Sequence, residues 1–159
     1  MRFTSIVAAA LAVVPSALAA NFAVNVGQGN TFAFNPTSIT GAVAGDTITF
    51  TFMSRNRKPL QPNGCAIQLT ISPPRLCDHD HFHYSLPTPA GGVPGGFDTG
   101  FLSATGTTQP QAVVTLASGN TQWVACRQAG GAHCRMGMTF AVNPTAEQTY
   151  EQFLANARG

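Results

Sequence analysis

Between Trp123 and Pro144 the chain reads WVACRQAGGAHCRMGMTFAVNP, and Cys126, His133 and Met138 within it can serve as three soft ligands to one metal. A thiolate, an imidazole and a thioether delivered from one loop between two apolar strands form a donor set suited to a blue-type copper ion. Gly130 and Gly131 let such a loop turn, and Gly137 lets its backbone approach closely. A plainer reading fits the same residues. Cys126 and Cys134 are then disulfide partners, and Met136 and Met138 are ordinary core or surface side chains.

A second group of donors lies in CDHDHFHYS, residues 77–85. His79, His81 and His83 alternate, so an extended backbone turns all three imidazoles to one side. Such a trio suits Cu(II) or Zn(II), with Asp78 or Asp80 placed to orient the rings from behind. The competing reading is a solvated polar loop.

The elements that must position these residues read as strands. Phe22, Val24 and Val26 alternate with polar or small residues, and Gly27–Asn30 turns the chain before Phe32 and Phe34 alternate again. Ile39, Ala42 and Val43 lead to a Gly45-Asp46 turn, after which Ile48, Phe50 and Phe52 share one face at period two. Val113–Leu116, Trp123–Cys126 and Met138–Val142 read as three later strands. At the C-terminus Thr145 and Gln148 have capping-box spacing, and Tyr150, Phe153 and Leu154 recur at helical spacing within Ala146–Ala157. The expected body is therefore all-β, followed by a short helix over 145–159.

Residues 1–19 read as a secretory leader. Arg2 supplies a positive start, IVAAALAVV (6–14) an apolar stretch too short to span a bilayer, and Ala17-Leu18-Ala19 a small-residue cleavage site. The mature chain is expected to begin near Ala20-Asn21 and to be secreted and soluble, since EQFLANARG carries no apolar anchor signal. What remains makes one domain. Only 9% of residues are charged, with 16 Gly and 11 Pro, which suits a turn-rich β protein. Eight Lys and Arg stand against six Asp and Glu, so no basic surface argues for nucleic acid. Asn35 and Asn143 both begin N-P-T, where proline blocks glycosylation.

The chain resembles the fungal extracellular cupredoxin-like proteins, the serine-rich or phytocyanin-like group. The resemblance rests on VGQGNTFAFNP (26–36), AGDTITFTF (44–52), GGFDTGF (95–101) and the CRQ…HC..GM…NP segment (126–144), in that order. It implies a Greek-key β-sandwich over residues 20–144. It also implies one type 1 copper held by two His, one Cys and one Met, here with Cys126, His133 and Met138 as three of the four. Phe97 and Phe101 would then shield the site.

The resemblance stops over residues 53–94. In the family an Asn-His pair supplies the first ligand, where this chain has Asn56-Arg57, and a guanidinium has no lone pair to give a metal. The route from Asn56 to Gly95 is also longer than the family's and holds two cysteines, Cys65 and Cys77, where the family has one. Either His81 (or His79 or His83) folds back as the fourth ligand, or the site is incomplete. A third explanation is a retained intron translated in frame. A spliced transcript restoring His after Asn56 would show it, and a transcript encoding 57–94 as written would exclude it.

Four cysteines in a secreted chain allow three full pairings. Copper requires Cys126 as a thiolate, so Cys134 would pair with Cys65 or Cys77 and one thiol would be left over; a metal-free chain pairs all four. Two functions follow: a copper-binding one-electron carrier, or a metal-free cupredoxin-like module acting outside the cell or at the cell wall. No Ser/His/Asp set, paired carboxylates or phosphate loop supports an enzyme. The expected partners are a redox protein or a cell-wall component, with no membrane and a monomeric chain.

Overall fold

A computed structural model describes residues 18–53, 67–70, 77, 99, 102, 104, 109–126 and 128–159. Strand β1 (Asn21–Val26) is followed by a short 3-10 turn at Gln28–Asn30 and by strands β2 (Phe34–Asn35) and β3 (Ser38–Ile39). Strand β4 (Thr47–Phe52) reads TITFTF, and its alternation is realised directly: Ile48, Phe50 and Phe52 are buried while the threonines between them are partly exposed. Strands β5 (Ile67–Thr70), β6 (Gln111–Thr115), β7 (Gln122–Cys126) and β8 (Thr139–Val142) complete the sheets.

One sheet has the order β2-β1-β4-β6 and the other β3-β8-β7-β5. Each is mixed: β1 runs parallel to β4 and β3 parallel to β8, whereas the remaining neighbours are antiparallel. The inner faces meet in one apolar core. Phe34, Phe50 and Phe140 form its centre, with ring centroids 5.7 to 6.1 Å apart and two of the three contacts edge-on. Val24, Val26, Ile48, Val124 and Val142 fill the space around them.

Every residue of β7 and β8 is buried, on both faces. The outer face is dry because the C-terminus covers it. Phe153 stacks on Trp123 with ring centroids 4.5 Å apart, and the Tyr150 hydroxyl donates to the Thr139 carbonyl at 3.3 Å. Helix formation follows the expectation in kind and shifts in position. The helix spans Tyr150–Arg158, and its capping box is formed by Thr149 and Gln152. The sequence holds two consecutive T-x-x-Q steps, and only the second starts a helix. At the first, the Gln148 N–H bonds the Thr145 hydroxyl while the Gln148 carbonyl accepts from the Thr145 N–H, closing a loop instead. Starting at Tyr150 places Phe153 and Ala157 on the sheet.

Residues 32–33 also depart from the expected strand. Paired strand begins only at Phe34, and Phe32 lies in the loop that follows the 3-10 turn. Among the described residues no helix is long and apolar enough to cross a membrane.

Candidate metal centre

Cys126 ends β7 and Met138 immediately precedes β8, so the chain between them is a loop spanning two antiparallel neighbours. Its ends are tied together: the Cys126 N–H donates to the Met138 carbonyl at 3.1 Å, and the Met138 N–H to the His133 carbonyl at 3.0 Å. The backbones of all three expected ligands are thereby fixed to one another. Between them, Ala129, Gly130 and Gly131 take φ of 57°, 60° and 81°, a left-handed run that Gly tolerates and that reverses the chain. A one-turn helix, α1 (Ala132–Arg135), follows and delivers His133; we denote the C-terminal helix (Tyr150–Arg158) α2.

His133 Nδ1 stands 3.7 Å from Cys126 Sγ. His133 is 9% exposed, Met138 2% and Cys126 not at all, and Met138 and Cys126 share the main apolar core. The Phe32 ring meets the His133 imidazole edge-on with centroids 4.6 Å apart. Sequence reasoning missed this contact, because alternation with Phe34 assigned Phe32 to a strand, whereas it lies in the loop after the 3-10 turn. The structure thus brings Cys126 and His133 together and places Met138 beside them in sequence and burial. His79, His81, His83, Arg57, Cys65, Phe97 and Phe101 lie outside the described residues.

Two disulfide observations bear on the chemistry. Cys77 is bonded to Cys134, one of the two pairings open to Cys134 in the copper reading. This bond pins α1 from the side, helped by Arg135, whose Nη1 donates to the Cys77 carbonyl at 2.9 Å. Cys126 is also disulfide-bonded, its partner lying outside the described residues. A disulfide sulfur is not a thiolate, so in this form Cys126 lacks the negative charge and strong donor character with which it would hold copper. A disulfide sulfur can only accept, so a hydrogen bond between the two requires the proton on His133 Nδ1. These residues fit a copper ion in the reduced form of Cys126 and not in the oxidised one. Among the described residues, no three of His, Cys, Asp and Glu come together as an alternative site.

Gly137 holds the loop against the C-terminal helix. Its φ is 94°, and a Cβ there would lie 2.7 Å from Arg158 Nη2 and 3.1 Å from Leu154 Cδ1. Gly137→Ala is expected to destabilise the fold by about 1–2 kcal/mol through left-handed strain alone. Urea denaturation of the two proteins checks this, and an unchanged midpoint would contradict it.

No family model and no curated protein matches the chain. Solved structures do. The dithionite-reduced auracyanin of the photosynthetic bacterium Roseiflexus castenholzii superposes with a TM-score of 0.53 at 13% identity, covering 79% of this chain and 96% of that one. Auracyanin B gives a TM-score of 0.52 at 19% identity, covering 84% and 94%. At these identities the likeness is one of architecture, and it extends over most of both chains. The two mixed sheets, the loop between β7 and β8 and these superpositions together establish a cupredoxin-like β-sandwich fold, here with a short C-terminal helix.

Proposed function

We propose that the protein is a secreted cupredoxin-like protein of the fungal extracellular type. In the form where Cys126 is a thiolate, it binds one copper ion and transfers single electrons. The observation that carries this reading is the 3.7 Å approach of His133 Nδ1 to Cys126 Sγ, on a loop whose ends are tied through Met138. Copper would supply the one-electron couple. The chain's part is to fix three donors before the metal arrives and to keep water from them, which burial of Cys126 and Met138 and the Phe32 ring achieve. His81 (or His79 or His83) is proposed as the fourth donor in place of Arg57. The electron partner is a redox protein or a cell-wall component met by a monomer outside the cell, and no substrate is turned over.

The disulfide at Cys126 favours a second reading, a metal-free extracellular or cell-wall interaction module. One experiment separates the two. By cysteine count the chain offers Cys65 as the remaining partner for Cys126, so Cys65→Ser frees Cys126 without touching the Cys77–Cys134 bond. Titrating this variant with Cu(II) is expected to give an intense thiolate-to-copper absorption band that Cys126→Ser and His133→Ala abolish. The unmodified oxidised protein is expected to stay colourless. If Cys65→Ser has a titratable Cys126 thiol and still develops no band, the copper reading falls and the interaction module stands.

A further inference from the structure

Strand β1 begins at a feature that neither the core nor the loop from Cys126 to Met138 explains. Asp46 is 4% exposed, at the turn leading into β4. Its Oδ1 accepts from the Ala20 backbone nitrogen at 2.7 Å and its Oδ2 from the Val43 N–H at 2.8 Å. The Ala20 carbonyl in turn accepts from the Thr47 N–H at 2.8 Å, so Ala20 is held on both sides just ahead of β1. Residues 18–20 are solvent-exposed, with Leu18 at 95%. The elements around Asp46 carry no other titratable side chain: residues 20–26, 38–45, 47–52 and 109–122 contain neither acid, base nor histidine. A carboxylate this buried, with two amide donors and no cation in the described segments beside it, is an expensive arrangement.

Ala20 is also the residue that follows Ala17-Leu18-Ala19. We propose that leader removal between Ala19 and Ala20 completes this site. The peptide bond to Ala19 is hydrolysed, and the Ala20 nitrogen, until then a neutral amide with one N–H, becomes an α-ammonium with three. It stays where it is, at hydrogen-bonding distance from Asp46 Oδ1, and the lone buried carboxylate acquires its counter-ion. One N–H continues to bond Asp46, and the others face water at the exposed end of the strand. The pair clamps the start of β1 to the turn before β4, the two strands that run parallel in register from Asn21 and Thr47. Processing is then a stabilising step as well as a trimming one, and the mature protein is more stable than any form extended at its N-terminus. The inference rests on the leader reading above, and its physical part is testable apart from it.

Two forms of the mature chain are compared, one starting at Ala20 after cleavage from a fusion that leaves no extra residue, the other carrying one added Gly before Ala20. The chain starting at Ala20 is expected to have the higher melting temperature, by about 3–5 °C. Asp46→Asn, made in both forms, is expected to remove the difference, because the amide attracts no cation. The pair exists only while the α-amino group is protonated and Asp46 is ionised, so the two forms are expected to converge at alkaline pH, where the ammonium loses its proton. Equal melting temperatures for the two forms at neutral pH, or a gap that persists with Asp46→Asn, would overturn the ion pair. N-terminal sequencing of the naturally secreted protein tests the other half: a first residue other than Ala20 refutes processing at this bond, whatever the comparison of the two forms shows.

Discussion

Phe140→Ala lowers the stability of the folded chain by about 3–5 kcal/mol, the range for removing a fully buried phenyl ring. Phe140 has no exposed surface, and its ring touches both Phe34 and Phe50, at 5.8 and 5.7 Å. Truncation therefore opens a cavity between the two sheets and removes two aromatic contacts at once. The sheets cannot simply collapse onto the gap, because their spacing is set by the surrounding valines and by Ile48 on β4. Phe140→Leu, which keeps most of the volume, is expected to cost much less. Urea denaturation followed by Trp123 fluorescence reads both, with a lowered midpoint and an unchanged slope. A loss below about 1 kcal/mol for Phe140→Ala would mean that the core is looser than a cavity argument allows. The consequence reaches the loop from Cys126 to Met138, since Phe140 lies two positions beyond Met138 on the chain.

The double substitution Cys77→Ser with Cys134→Ser is expected to cost about 2–5 kcal/mol, the range for losing a native disulfide from a small domain. The bond joins residues 57 apart in sequence, so removing it restores much freedom to the unfolded chain. Both cysteines are replaced together because a lone thiol at either position would be free to exchange with the Cys126 disulfide. Local effects should accompany the global one. Cys134 lies next to His133 on α1, and Arg135 loses the anchored carbonyl it reaches at Cys77. Thermal unfolding measures the loss, and hydrogen exchange at residues 132–136 shows whether α1 loosens before the sheets do. Unchanged protection there would mean that α1 is held by its own backbone bonds and by α2.

How much of this was legible in the chain depends on the range over which each feature is determined. Strand β4 was readable because alternation of Thr with Ile and Phe needs only a local rule, and the turn at Gly45-Asp46 equally so. The loop from Cys126 to Met138 announced itself through donor types and glycines. The start of the C-terminal helix was not readable: Thr145 and Thr149 both open a T-x-x-Q step, and the choice between them is made by Trp123, a residue on another strand. Nor did the sequence show that Phe32 lies against His133, since that contact depends on how the 3-10 turn aims the chain. The oxidised state of Cys126 was an open alternative in the cysteine count, because pairing is settled in three dimensions.

The corner at Asn143 has a consequence for when the molecule can assemble. Its side chain donates to the carbonyls of Ala42 and Gly119 at 2.7 and 2.8 Å and accepts from the Ala42 N–H, while β3 lies parallel to β8 just before it. Ala42 and Asn143 are 101 residues apart in sequence, so the second sheet acquires its edge strand only after nearly the whole chain exists. Pairings of this span are made late and slowly, with the loop-closure entropy borne before the contacts form. During synthesis β3 can have no partner in its sheet until β8 has been made, and the emerging polypeptide remains open. Only an unclosed sandwich can be passed lengthwise through a narrow pore, so the delay keeps the chain threadable until its synthesis is nearly complete.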